Sequence, residues 1–191
     1  SDAVKINPKI PPHSIEAETS ILGALLIDKD AIISVAEFLL SSDFYDYKHQ
    51  SIYEAMISLY EDRVPIDILT VSEKLKNKKV FKNVGGATFL AELTAAVTTA
   101  AHVEHYGRIV KNLATKRQLL SASSKLSEMS FDESVSADDL LDRAESEIFS
   151  LSQKHLAKSF TSVRMALEES FDRLDELHKR ADGLRGRHRS P

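Results

Sequence analysis

From about Ala100 to Met129 the chain contains no proline and only one glycine, Gly107, while Val103, Tyr106, Ile109, Val110, Leu113, Leu119, Leu120 and Leu126 recur at helical spacing. A helix of that length needs an apolar partner, because most helical stability comes from docking one face. The partner follows directly. "SFDESVSADDL" is a polar turn in which Ser136 and Asp139 have capping-box spacing, and Leu140, Leu141, Ala144, Ile148 and Leu151 mark a second helix to about Gln153. The two are expected to pack antiparallel as a helical hairpin.

The residues before this hairpin also read as helices. Residues 1–12 hold three of the five prolines and form an extended arm ending in Pro11-Pro12. Ser14 then caps a first helix, with Glu16 and Glu18 at its positive end and Ile15, Ile21, Leu22, Leu25 and Leu26 on one stripe. Asp28 or Asp30 caps a second helix, carrying Ile32, Ile33, Val35, Ala36, Leu39 and Leu40, which is expected to form a hairpin with the first and to break at "SSDF". A third runs from Tyr47 to Glu61 and ends at Arg63-Val64-Pro65. A short fourth is capped by Asp67 or Thr70, with Glu73 three beyond Thr70. A fifth, "ATFLAELTAAV", follows a Gly85-Gly86 turn that needs positive φ and ends near Thr98-Thr99. Nothing reads as a convincing strand. After the hairpin, periodicity lapses between His155 and Phe160. A last amphipathic helix begins at Thr161 or Ser162 and carries Val163, Leu167, Phe171, Leu174 and Leu177, with Gly183 as its stop.

Composition then excludes whole classes of function. The six glycines, Gly23, Gly85, Gly86, Gly107, Gly183 and Gly186, spell neither G-x-x-x-x-G-K-[ST] nor G-x-G-x-x-G, which argues against an autonomous ATPase or dinucleotide enzyme. With no cysteine there is no disulfide, thiolate nucleophile or zinc ribbon. Twenty-five basic residues against 29 acidic ones give a formal charge of −4, so the chain as a whole is expected to bind little DNA directly. No signal-peptide core and no apolar run of about 20 residues is present, so a cytoplasmic location without membrane contact is expected. His102 and His105 share a helix face, but "HVEH" is not H-E-x-x-H, and a polar helix face is the expected reading. No arrangement of serines and carboxylates resembles a triad, and no catalytic residue, metal or cofactor is assigned. The basic end, Lys179, Arg180, Arg185, Arg187 and Arg189, reads as a tail.

The segments "PPHSIEAETSILGALLIDKDAI", "DFYDYKHQSIYEAMISLYEDRVPIDILTVSEKL" and "VGGATFLAELTAAVTTAAHVEHYGRIVKNLATKRQLL" resemble the N-terminal domain of the bacterial replicative DNA helicase of the DnaB type. The resemblance covers about Ile10 to Gly186. Its most specific parts are P-P-H-x-x-E-A-E, D-F-Y…H-Q-x-I-Y-E-A-M, P-I-D-x-x-T-V and the glycine pair with the helix after it. "SFDRLDELHKRADGLRG" is similar to the linker helix leading into that family's ATPase core, and "RHRSP" does not continue the pattern.

The resemblance implies an all-α fold: a six-helix globule, a protruding antiparallel hairpin and a C-terminal linker helix. On this chain that layout maps to an arm at 1–12, a globule at 13–120, a hairpin arm at 121–154 whose first helix continues from the globule, a hinge at 155–161, a linker helix at 162–183 and a tail at 184–191. It further implies a non-catalytic collar of a replicative DNA helicase acting at the replication fork and nucleoid. The collar would pair copies of itself from dimer to hexamer, receive the C-terminal domain of a DnaG-type primase and contribute to loader contacts, with ATP and magnesium needed only by a separate motor domain. Leu126, Leu140, Leu141, Ala144, Ile148, Phe149 and Leu151 are the candidates for hairpin self-association or primase binding. Within that set, Leu141, Ile148 and Leu151 are expected to face Ile109, Leu119, Leu120 and Leu126, leaving Leu140, Ala144 and Phe149 outward. Val163, Leu167, Phe171, Leu174 and Leu177 are the candidates for docking the linker helix on the chain's own ATPase domain. A free-standing dimeric adaptor and an enzyme with an unrecognised site are the competing readings.

Overall fold

The computed structural model describes the backbone of residues 9–185 and, within that span, the side chains other than 156–169, 178 and 180–185. Among the described residues there is no strand. Seven α-helices follow one another: α1 (Ile15–Ile27), α2 (Ile33–Ala36), α3 (Tyr47–Glu61), α4 (Ile68–Asn77), α5 (Gly86–Ala95), α6 (Val103–Ser130) and α7 (Ala137–Arg185), with one 3-10 turn at Ser41–Asp43. The chain divides into two compact units at Leu151.

Local chemistry sets the helix ends. Ser14 accepts from the Ala17 amide at 3.2 Å and opens α1. Asp46 caps α3 through the Lys48 amide at 2.8 Å, and α3 has the bounds that its apolar spacing indicates. At α4 the reciprocal cap is between Asp67 and Thr70: the Thr70 amide donates to Asp67 Oδ1 at 2.9 Å and the Asp67 amide to Thr70 Oγ1 at 3.0 Å. Glu73 takes no part in it and pairs with Lys76 instead. α3 and α4 both end in a left-handed residue that is not glycine, Arg63 at φ 57° and Lys79 at φ 59°. In each case the next amide reaches back five residues, Val64 to the Leu59 carbonyl and Val80 to the Leu75 carbonyl. The glycine turn does adopt positive φ, +101° at Gly85 and +64° at Gly86.

The second helix is much shorter than its apolar positions suggest. The Asp28 carboxylate accepts from the Asp30 amide at 2.9 Å, and residues 31–35 close a run of three-residue turns, so α2 retains only four residues. Two isoleucines and a valine in this stretch weaken regular helix further. α2 packs on α6 rather than forming a hairpin with α1. The core gathers Ile21, Leu22, Leu25, Val35, Phe44, Ile52, Tyr53, Met56, Val71, Leu75, Leu90 and Val110 from every helix up to α6. Two glycines allow close approaches within it. A Cβ on Gly23 would run into the Leu93 backbone carbonyl of α5, and one on Gly107 would lie 3.0 Å from Phe38 and 3.1 Å from Val35. Gly107 therefore interrupts the long apolar pattern because α2 and the residues after it lie against α6 there.

The expected break at 155–161 is absent, and so is the stop at Gly183, since helix is continuous from Ala137 to Arg185. Residues 155–161 lose apolar periodicity but contain no proline or glycine, and helical backbone does not require an apolar stripe to continue. Residues 1–8 of the expected arm and 186–191 of the expected tail lie outside the described residues.

Candidate functional site

The outermost part of the first unit is the hairpin of α6 and the start of α7. Its turn is built by side chains. Asp132 accepts from the Ser134 amide at 2.9 Å and the Ser134 hydroxyl at 2.6 Å, and these two bonds hold its carboxyl below the usual carboxylate range. Ser136 accepts from the Asp139 amide at 3.1 Å to start α7. Between the helices, Ala122 is buried, Leu126, Met129, Leu140, Ala144 and Leu151 are half-buried, and Lys125 pairs with Glu147 at 2.8 Å. Leu140, Ala144, Glu147 and Leu151 repeat with the three-and-four spacing of a two-helix seam.

This placement reverses part of the expectation for the seven hairpin candidates. Leu140 and Ala144 turn inward, while Leu141 and Ile148 join Phe149 on the outside; Leu126 and Leu151 face inward as expected. Adjacent leucines lie about 100° apart on a helix, so only one of Leu140 and Leu141 can enter the seam. Leu119 and Leu120, expected to face α7, are exposed too. Leu119, Leu120, Phe131, Leu141, Ile148 and Phe149 are thus all exposed to solvent. Phe131, at the tip, is 86% exposed. In the second unit Phe171, Leu174 and Leu177 are exposed, as is every described side chain between 170 and 179; the side chains of Val163 and Leu167 lie outside the described residues.

Where α6 leaves the globule, a buried polar cluster holds it. Asp43 is fully buried and takes Lys111 on both carboxylate oxygens, at 2.8 and 3.0 Å, while also accepting from the Leu40 amide at 2.7 Å. Arg117 donates to the Asp43 carbonyl at 2.5 Å and to the Pro12 carbonyl at 2.8 Å, and lies over the Tyr45 ring. Tyr45 also stacks on His13 at 4.0 Å. Beneath it Glu18, expected as a charge at the positive end of α1, is buried among polar partners. It accepts from His49 Nδ1 at 2.7 Å and from the Tyr45 and Asp46 amides at 2.6 and 3.4 Å. Tyr53 donates to the Leu39 carbonyl at 3.1 Å, and its hydroxyl is pushed well above the usual phenol range by burial and then by the Asp43 charge. Sequence reasoning missed this cluster, although P-P-H-x-x-E-A-E and D-F-Y…H-Q-x-I-Y contain His13, Glu18, Asp43, Tyr45, His49 and Tyr53. These motif residues build a structural clamp.

His102 and His105 are exposed, and the described residues include no group of three or more metal-ligating side chains. No described helix is long and apolar enough to cross a membrane.

Residues 10–112 match the DnaB-like helicase N terminal domain family. The chain belongs to that family. As a DnaB-type N-terminal domain it is 32% identical over 181 residues to the replicative DNA helicase DnaC of Bacillus subtilis, covering 95% of this chain and 40% of that protein. It is 34% identical over 178 residues to the replicative DNA helicase DnaB of Geobacillus stearothermophilus, covering 93% and 39%. The chain thus spans about two fifths of the length of these relatives. Its fold matches the crystal structure of the N-terminal domain of DnaB helicase from Mycobacterium tuberculosis with a TM-score of 0.70 and 35% identity, covering 74% of this chain and 99% of that one. At 20% identity and a TM-score of 0.61 it shares the fold of a DnaB-like replicative helicase described with its interactions with primase, covering 79% of this chain and 35% of that one. The all-α architecture read from the DnaB-type motifs is thereby established.

Proposed function

We propose that this domain is a non-catalytic collar and recruitment module of a replicative DNA helicase. It associates with further copies of itself through the outer face of its hairpin and offers a docking surface to the C-terminal domain of a DnaG-type primase. The observation that carries this reading is the hairpin itself: it is anchored by the buried clamp and presents Leu119, Leu120, Leu141, Ile148 and Phe149 to solvent. A soluble domain does not ordinarily keep such an apolar surface without a partner for it. Kinship with replicative helicases favours this reading over a free-standing adaptor. Phe171, Leu174 and Leu177 serve to dock α7 on an ATPase domain, which supplies the ATP and magnesium chemistry, and the collar contributes to loader contacts and works in the cytoplasm at the replication fork. Linking several weak primase sites in one assembly raises their effective concentration without requiring a strong single contact.

The test is solution mass by light scattering across a concentration series, combined with capture of a purified primase C-terminal domain. Leu141→Asp is expected to lower the oligomeric mass while leaving helicity intact, whereas Leu140→Asp is expected to loosen the hairpin itself. Unchanged mass for a folded Leu141→Asp protein would refute the self-association reading, and primase capture independent of the hairpin would refute the recruitment reading.

A further inference from the structure

The formal charge of −4 is an average over the chain, and one face departs strongly from it. The end of α4 and the loop into α5 carry Lys76, Lys78, Lys79 and Lys82, and the first turn of α3 adds Tyr47 and Lys48. Two contacts join these segments. The Tyr47 hydroxyl donates to the Asn83 carbonyl at 3.2 Å, and Lys48 Nζ lies 5.6 Å from the centre of the Phe89 ring at the start of α5. Lys76 Nζ similarly lies 5.2 Å from the Phe81 ring. Glu73 and Glu54 engage Lys76 and Lys78 in exposed ion pairs. No carboxylate within salt-bridge distance is found for Lys48, Lys79 or Lys82 among the described residues. The left-handed turn at Lys79 ends α4 there and leaves that side chain in solvent. Tyr47 is 60% exposed and its hydroxyl is tethered, so its ring is presented at little further cost in side-chain freedom.

We propose that this face, comprising Tyr47, Lys48, Lys79 and Lys82, binds single-stranded nucleic acid. Three lysines without carboxylate partners attract backbone phosphates, and the exposed Tyr47 ring beside them offers a surface on which a base stacks, whereas Phe81 and Phe89 are half-buried against the core and Phe89 lies parallel to His49. A simple polyanion such as polyglutamate would be held by the cations alone and would make no use of the tyrosine ring. Duplex is disfavoured because no helix or ribbon projects from this face to enter a groove. The proposal goes beyond the collar reading and is independent of hairpin association.

The experiment is fluorescence anisotropy of a labelled oligothymidylate titrated with this chain. Three phosphate contacts to a single strand correspond to a log–log salt slope of about −2, or about 20-fold weaker binding between 50 and 200 mM salt. Reversing two exposed charges with Lys79→Glu and Lys82→Glu should weaken binding at least tenfold with unchanged circular dichroism, and Tyr47→Ala about tenfold. Lys116→Glu, on α6, should have no comparable effect. Absence of binding at low salt, or equal binding by the doubly reversed protein, would overturn the proposal. So would full displacement by polyglutamate at matched charge together with no effect of Tyr47→Ala, which would assign the face to an acidic protein partner.

Discussion

Gly23→Ala and Gly107→Ala add the same methyl group at two buried positions, yet they are expected to give different outcomes. At Gly23 the new Cβ would meet the backbone carbonyl of Leu93 and, at 2.8 Å, Cγ2 of Val97. A backbone carbonyl cannot rotate aside, so α1 and α5 must separate by about 1 Å around Leu90 and Leu93, which are 0% and 1% exposed. Overpacking of this kind costs about 1–3 kcal/mol, with the upper end expected where backbone must move, and the intrinsic helix preference of alanine over glycine returns about 1 kcal/mol. The net effect is a loss of about 2 kcal/mol. At Gly107 the neighbours are the ring edge of Phe38 at 3.0 Å and a methyl of Val35 at 3.1 Å, side-chain atoms that can yield by a few tenths of an ångström. The outer face of Phe38 meets the Arg108 guanidinium, which can move with it. Strain and helix preference then nearly cancel, leaving this variant within about 1 kcal/mol of the parent. Urea unfolding followed by circular dichroism, analysed by linear extrapolation with matched slopes, measures both. If Gly23→Ala is as stable as Gly107→Ala, the backbone contact between α1 and α5 does not limit packing and the reasoning fails.

Three further outcomes are expected. Glu18→Ala leaves the His49 ring nitrogen and two backbone amides without their buried acceptor, and should lose about 3–5 kcal/mol in the same urea assay; a loss below 1 kcal/mol would contradict the clamp. Arg63→Gly relieves a left-handed residue and should raise stability by about 0.5–1 kcal/mol, whereas a loss would show that the Arg63 side chain matters more than its backbone strain. For Asp132 the folded carboxyl titrates below its ordinary value, so its contribution to the hairpin turn is present above that value and disappears as pH falls through the lowered one. Amide exchange at Ser134, corrected for intrinsic pH dependence, should therefore speed up in strong acid, and Asp132→Asn should remove that step.

The elements legible in the sequence were those whose signals are local. α3 has its cap at Asp46 and its terminator at Arg63-Val64-Pro65 within the segment itself, and the glycine turn before α5 declares its own backbone. What failed depended on distant partners. Glu18 looks like an N-terminal helix charge until Tyr45 and His49 are brought to it across 27 and 31 residues of chain. The choice between Leu140 and Leu141 depends on the register of α7 against Ala122 and Leu126, which no pattern within α7 specifies. Between His155 and Phe160 the apolar stripe lapses while the helix continues, because the two are separate properties. The family motifs located the clamp residues without disclosing that they meet.

α6 runs without interruption from Val103 in the core to Ser130 at the tip, a length of about 42 Å at 1.5 Å per residue. Arg117, fastened to Asp43 and Pro12, lies midway along it and acts as a fulcrum with arms of nearly equal length. A sideways push of 2 Å at Phe131 would rotate such a rod by about 5° and, were it rigid, carry Val103 a similar distance the other way. Val103 is 4% exposed and wedged among its neighbours, so the inner arm resists. Load applied to the tip by anything that grips it is thus transmitted as torque past the Arg117 fulcrum into the interior of the globule.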